Sequence, residues 1–162
     1  MSQQFINIVG RSGSGKTALI EKLIAYYTAR GLKIAVVKST RHDFDAEPSG
    51  KDTARYRGAG AFGAVITNGA HIAVTAERAM TPPEIAEKYF PDADIIIIEG
   101  YKEGSLRKIE VVGDSPEPPL YLSGAVDFAI IVSDKNLKAD MPVYARNDVA
   151  GIVNAIERLI FS

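Results

Sequence analysis

The chemistry of this chain is concentrated in Gly10-Arg11-Ser12-Gly13-Ser14-Gly15-Lys16-Thr17, which fits the phosphate-binding pattern G-x-x-x-x-G-K-[ST]. An apolar run, Phe5 to Val9, enters it, and a helix-like run, Ala18 to Arg30, leaves it. Glycines at 10, 13 and 15 let the backbone curl so that successive N–H groups point at phosphate oxygens, and a helix starting near Gly15 adds the positive end of its dipole. Lys16 is expected to reach the β- and γ-phosphates, and the Thr17 hydroxyl to ligate Mg²⁺. A nucleotide site of this kind needs an acidic group at the end of a buried strand. The isoleucines 95–98 end at Glu99, which predicts a metal- or water-facing carboxylate, with Gly100 turning the chain. Asp94 opens the same strand and so belongs at the end away from the phosphates.

A second concentration of charge lies between 38 and 57: Lys38, Arg41, His42, Asp43, Asp45, Lys51, Asp52, Arg55 and Arg57. Its start follows the second predicted strand, so it opens on the sheet edge where the phosphate loop lies. Such a mixture suits phosphate-facing Lys/Arg beside metal- or water-facing Asp, and equally a solvated loop. The run Phe128 to Val132, followed by Ser133-Asp134-Lys135-Asn136, loosely resembles the segment with which many GTP-binding proteins read guanine, without their N-K-x-D order. Asp134 is the candidate acceptor there for N1–H and the exocyclic amine.

The elements that position these groups can be read from periodicity. Strands are expected at about 4–9, 33–37, 64–67, 72–75, 94–98, 108–112, 128–132 and 142–144, and helices at about 16–30, 51–59, from Thr81 onward, and from Asn147 or Asp148 to Ile160. Asn68-Gly69 signals a hairpin. Strands alternating with helices predict an α/β three-layer sandwich, a P-loop NTPase with a mainly parallel sheet plus an antiparallel hairpin, in a single domain over 1–162.

Composition narrows the classes. A chain of 162 residues, 46% hydrophobic, can bury a core. A net charge of -1 gives no reason to expect a nucleic-acid partner. The absence of cysteine removes disulfides, thiolate zinc sites and cysteine nucleophiles. Two histidines far apart, His42 and His71, make a poor zinc site. Apolar runs are too short for a membrane span or a signal peptide, so the expectation is a cytoplasmic protein without a membrane partner.

Taken together, the loop Gly10–Thr17, the stretch His42-Asp43-Phe44-Asp45…Gly50-Lys51-Asp52…Arg55…Ala59-Gly60-Ala61 and the strand end Glu99-Gly100-Tyr101-Lys102 resemble the MobB-type adapter proteins of molybdopterin-guanine dinucleotide biosynthesis over nearly the whole chain. The resemblance implies a homodimeric, GTP-binding, weakly hydrolysing protein that assists the guanylyltransferase joining GMP to molybdopterin. It implies GTP and Mg²⁺ as cofactors, with Arg11, Ser12, Gly13, Ser14, Gly15, Lys16 and Thr17 around the phosphates and Thr17 and Glu99 on the metal. Asp45 and Lys51 would face the nucleotide or the pterin, and Lys16, Glu99 and Arg55 would act on the phosphates. Ser39 and Arg41 depart from the family's histidine-rich loop, and Arg41 favours an anion. Slow hydrolysis fits the lack of an assured arginine finger or water-positioning glutamine. Two other readings share the phosphate loop. One is a small-molecule kinase using Asp43 or Asp45 as base and Lys102, Arg107 and Lys108 as a short lid; the other is a metallochaperone-type GTPase.

Overall fold

Apolar strands of two to six residues, several of them followed by helices that pack back on them, build a parallel sheet. The computed structural model describes residues 3–42, 52–124 and 127–161. By internal contacts they fall into two compact units, one formed by the chain up to Thr40 together with Pro82 onward, the other by Arg41–Thr81.

The larger unit holds a six-stranded sheet in the order β2-β5-β1-β6-β7-β8. Its strands are β1 (Gln4–Val9), β2 (Ile34–Lys38), β5 (Ile95–Glu99), β6 (Lys108–Val111), β7 (Phe128–Val132) and β8 (Val143–Tyr144). Every pairing is parallel. The central strands are fully buried runs, because a parallel sheet is covered on both faces. Helices α1 (Lys16–Thr28) and α4 (Val149–Ile160) cover one face, packing Leu19, Ile20, Leu23, Ile152, Val153 and Ile156 on Ile6, Ile8, Ile95 and Ile97. On the other face Ala86, from α3 (Pro82–Tyr89), packs with Val37, Ile96 and Ile98. The expected three-layer α/β sandwich is therefore present. Asp148 caps α4, its side chain accepting the Gly151 N–H.

The smaller unit contains α2 (Asp52–Gly58) and the hairpin of β3 (Gly63–Thr67) and β4 (Ile72–Ala76), a separate antiparallel sheet. Asn68 Oδ1 accepts the N–H groups of Ala70 and His71, and Gly69 adopts φ +88°, so the turn is made by the residues that signalled it. Among the described residues no helix is long and apolar enough to cross a membrane.

A 3₁₀ turn at Leu120–Ser123, just after the proline-rich loop Ser115–Pro119, was not legible in the sequence. Its cause is Glu110, only 1% exposed, whose two carboxylate oxygens accept the N–H groups of Leu120 (2.6 Å) and Tyr121 (2.8 Å). Burial raises the Glu110 pKa above the ordinary carboxylate value; the two N–H bonds and the charges of Arg11 and Lys102 oppose this and lose. The folded state thus holds this proton more tightly than the unfolded chain. Its stabilising contribution is full below the unfolded pKa and is lost as pH rises through the folded one. Thermal melts of wild type and Glu110→Gln should therefore diverge with pH, the wild type losing ground to the variant from the acid side toward neutrality. A pH-independent difference would show that this carboxyl does not titrate on folding.

Candidate functional site: a phosphate cradle at the strand ends

Gly10 to Thr17 joins the C-terminal end of β1 to α1, at the edge where open α/β sheets take ligands. Gly10, Gly13 and Gly15 have φ of +150°, +70° and +95°. At Gly10 the glycine is also a packing requirement. A Cβ there would collide with the Val111 carbonyl oxygen and stand 2.7 Å from Ser14 Oγ. Gly15 is the N-cap of α1 in the left-handed region and supplies no capping side chain. Among the described residues the N–H groups of Gly13, Gly15, Lys16 and Thr17 have no acceptor, and the Ser14 N–H bonds only to the Arg11 carbonyl at 3.2 Å. Ser14 Oγ is buried without a partner. Unsatisfied donors at a helix start, with no side-chain cap, make an anion site.

Lys16 lies over this loop, its ammonium donating to the carbonyls of Arg11 (2.9 Å) and Gly10 (3.3 Å). Burial lowers its pKa; Glu99 opposes that, while the cations Lys102 and Lys38 reinforce it. Three lysines and one glutamate thus share a field at the ends of β1, β2 and β5. Glu99 is half-buried, in register with Ile8 of β1 and Lys38 of β2. Gly100 follows at φ +88°, where a Cβ would stand 2.6 Å from the Ser39 carbonyl oxygen. Asn7 Nδ2 donates to the Tyr101 carbonyl at 2.9 Å, tying this turn to the strand that feeds the phosphate loop. Asp94 lies at the opposite sheet edge, accepting the Lys33 N–H at 2.7 Å.

The other expected site residues divide as follows. Arg11 turns its guanidinium sideways: Nε donates to the Pro118 carbonyl at 3.1 Å and Nη1 pairs with Glu117, so only its backbone belongs to the loop. Ser12 and Thr17 are exposed on the rim. Arg55 is on α2 in the smaller unit, 3.6 Å from Asp52. Asp45 and Lys51, with Asp43, lie outside the described residues. Lys108 is buried in β6, donating to the Gly104 carbonyl at 2.8 Å, which does not suit a lid cation. Asp134 accepts the Arg146 N–H at 2.9 Å.

The donor set fits a triphosphate with Mg²⁺. The loop and Lys16 supply N–H and ammonium donors, and Thr17 and Glu99 supply hard oxygens suited to an ion that keeps most of its waters. Among the described residues no cluster of three or more His, Cys, Asp or Glu could hold a metal unaided, so protein oxygens alone do not make a cage.

Sheet order, glycine-rich loop and helix start together define the P-loop NTPase fold. Comparison with known proteins places the chain more narrowly. Residues 5–134 match the family model of molybdopterin guanine dinucleotide synthesis protein B, MobB. The molybdopterin-guanine dinucleotide biosynthesis adapter protein of Escherichia coli K12 is 31% identical over 154 residues, covering 90% of this chain and 86% of that one. The protein of the same name from Haemophilus influenzae is 33% identical over 110 residues, 64% of this chain and 60% of that one. A crystal structure of molybdopterin-guanine biosynthesis protein B superposes with a TM-score of 0.72 at 27% identity, covering 98% of this chain and 99% of that one. The Bacillus subtilis MobB structure superposes with a TM-score of 0.77 at 23% identity over the same shares. The chain belongs to the MobB family.

Proposed function

We propose that this protein is a GTP-binding adapter of molybdenum-cofactor guanylylation, which binds Mg²⁺–GTP in the Gly10–Thr17 loop and assists the guanylyltransferase that joins GMP to molybdopterin. The observation that carries the reading is the uncapped start of α1 beneath a glycine-formed loop, with Lys16 and Glu99 in one field, in a chain of this family. The loop N–H groups and Lys16 would orient and neutralise the phosphates, while Thr17 and Glu99 would hold the metal, which would supply further positive charge against the phosphate oxygens. Hydrolysis would be slow, because the loop and metal position the phosphates without an assured arginine finger or water-positioning glutamine; Arg41, Arg55 and Arg57 are the candidates for the missing charge, the last two in loose ion pairs with Asp52 and Glu77. Guanine preference rests on the family. Titration of the protein with Mg²⁺–GTP and with Mg²⁺–ATP tests it: GTP should bind more tightly, and a clear ATP preference would sink the assignment. A location in the cytoplasm accords with this role.

The protein would act as a homodimer through the hairpin. An isolated two-stranded sheet is marginal in water, and this one exposes apolar side chains on both faces. Val65 (58% exposed), Ile72 (67%) and Val74 lie on one, and Ile66 (61%) on the other. A second copy would cover them. Light scattering should give a dimer mass for wild type and a monomer mass for Ile66→Asp/Ile72→Asp. A monomeric wild type at micromolar concentration would contradict the dimer.

A further inference from the structure

Arg146 stands between β8 and α4 and joins three segments of the nucleotide edge. Its Nη2 donates to the Val112 carbonyl, just past β6, at 2.9 Å. Its own N–H donates to Asp134 Oδ1, and its Nε is 3.7 Å from Asp134 Oδ2. A Cβ on Gly15 would stand 3.1 Å from its Nη1, and a Cβ on Gly113 3.0 Å from its Nη2. The guanidinium is thus seated against two glycines, one of them the N-cap of α1. A cation beside the positive end of a helix is unfavourable there. Asp134 offsets this in part. Nε is buried without a hydrogen bond, Nη1 donates to no described residue, and the side chain keeps 36% of its surface exposed. The group is held in place and still has donors to offer.

The sheet order gives the direction in which those donors face a ligand. Glu99, the metal-side carboxylate, is on β5, to one side of β1. With the metal side at β5, the strand ends left for the base of a bound nucleotide are those on the other side of β1, at β6, β7 and β8. Among the described residues, Arg146, the Ser133–Asn136 segment and Asp114, which pairs with Lys135 at 2.8 Å, are polar groups at that end. Asp134 Oδ1 accepts the Arg146 N–H, while Oδ2, on a side chain 63% exposed, can still accept from an amine, so the two residues offer different edges of a base different partners. Guanine also presents two acceptors side by side, O6 and N7, whereas adenine presents an amine at N6 beside N7. Arginine matches the first pair and is repelled by the amine of the second.

We infer that Arg146, held by Asp134 and seated against Gly15 and Gly113, reads the base through the O6/N7 edge of guanine. This rests on the assignment of Gly10–Thr17 as a triphosphate site.

Equilibrium binding of GTP, ITP and ATP to the full chain and to Arg146→Ala and Arg146→Lys separates the outcomes. ITP keeps O6 and N7 but lacks the 2-amine. Wild type should bind GTP and ITP alike, each about tenfold or more tighter than ATP, the usual discrimination of a good arginine–guanine contact. Arg146→Ala should bind all three with similar affinity. Arg146→Lys, which keeps the charge but not the fork, should recover only part of the preference, and its melting temperature reports whether the fold is intact. ITP binding as weakly as ATP to wild type would assign the reading to an acceptor for the amine and overturn the inference. So would undiminished GTP preference in either folded variant. Failure of wild type to bind any of the three would overturn the triphosphate site itself, and the inference with it.

Discussion

Lys16→Ala is expected to weaken Mg²⁺–GTP binding by roughly two to four orders of magnitude, the loss of about two charge-assisted hydrogen bonds at about 1.5–3 kcal/mol each. The argument is electrostatic. The Lys16 ammonium is partly stripped of water, it shares a field with Lys38 and Lys102, and only Glu99 opposes them. Its present acceptors are the carbonyls of the loop itself. An anion above the loop would relieve all three disadvantages together, so the interaction with phosphate exceeds that of an exposed lysine. The same reasoning says that the fold does not depend on Lys16. The variant should melt no lower than wild type, because it removes a desolvated cation rather than a stabilising partner. Calorimetric titration and a thermal melt check both halves. Retained affinity would remove the P-loop assignment, and a large drop in melting temperature would mean that lysine holds the loop for structural reasons.

Gly10→Ala carries the second large effect, on stability as well as binding. The new methyl would meet the Val111 carbonyl oxygen, a backbone atom of a buried strand that cannot step aside, and would crowd Ser14 Oγ at 2.7 Å. Overpacking costs about 1–3 kcal/mol and the backbone conformation at +150° a similar amount, so a total of roughly 2–6 kcal/mol is expected. Gly13→Ala is the control. It shares a positive φ of +70°, but a Cβ there meets nothing within 4 Å. It should cost about 1 kcal/mol through backbone conformation alone. Denaturant unfolding of both variants decides the point. Equal losses would show that the contact with Val111 is not what demands glycine at position 10.

The fold was largely legible because its signals are local. The isoleucine run 95–98 is a buried strand, Asn68-Gly69 turns the hairpin, and Asp148 caps the last helix, each for reasons carried within a few residues. The path of the glycine-rich loop from β1 into α1 was legible for the same reason. What escaped the sequence depends on contacts distant along the chain. Nothing near Leu120 announces that Glu110 will turn its backbone, and nothing near Arg146 announces that it will lie against Gly15, more than a hundred residues earlier. Arg11 shows the converse. Its place inside the motif suggested a phosphate contact, yet its guanidinium is drawn off by Glu117 and the Pro118 carbonyl. A motif specifies the path of the backbone and the side chains its pattern names; it says little about the variable positions between them.

The central claim is that this phosphate loop serves guanylylation of molybdopterin. It is tested most directly by adding the protein to a guanylyltransferase reaction containing molybdopterin and Mg²⁺–GTP and measuring the rate of dinucleotide formation. Wild type should stimulate the reaction, and Lys16→Ala, folded but unable to hold the triphosphate, should not. No stimulation by wild type, or equal stimulation by the two proteins, would contradict the account.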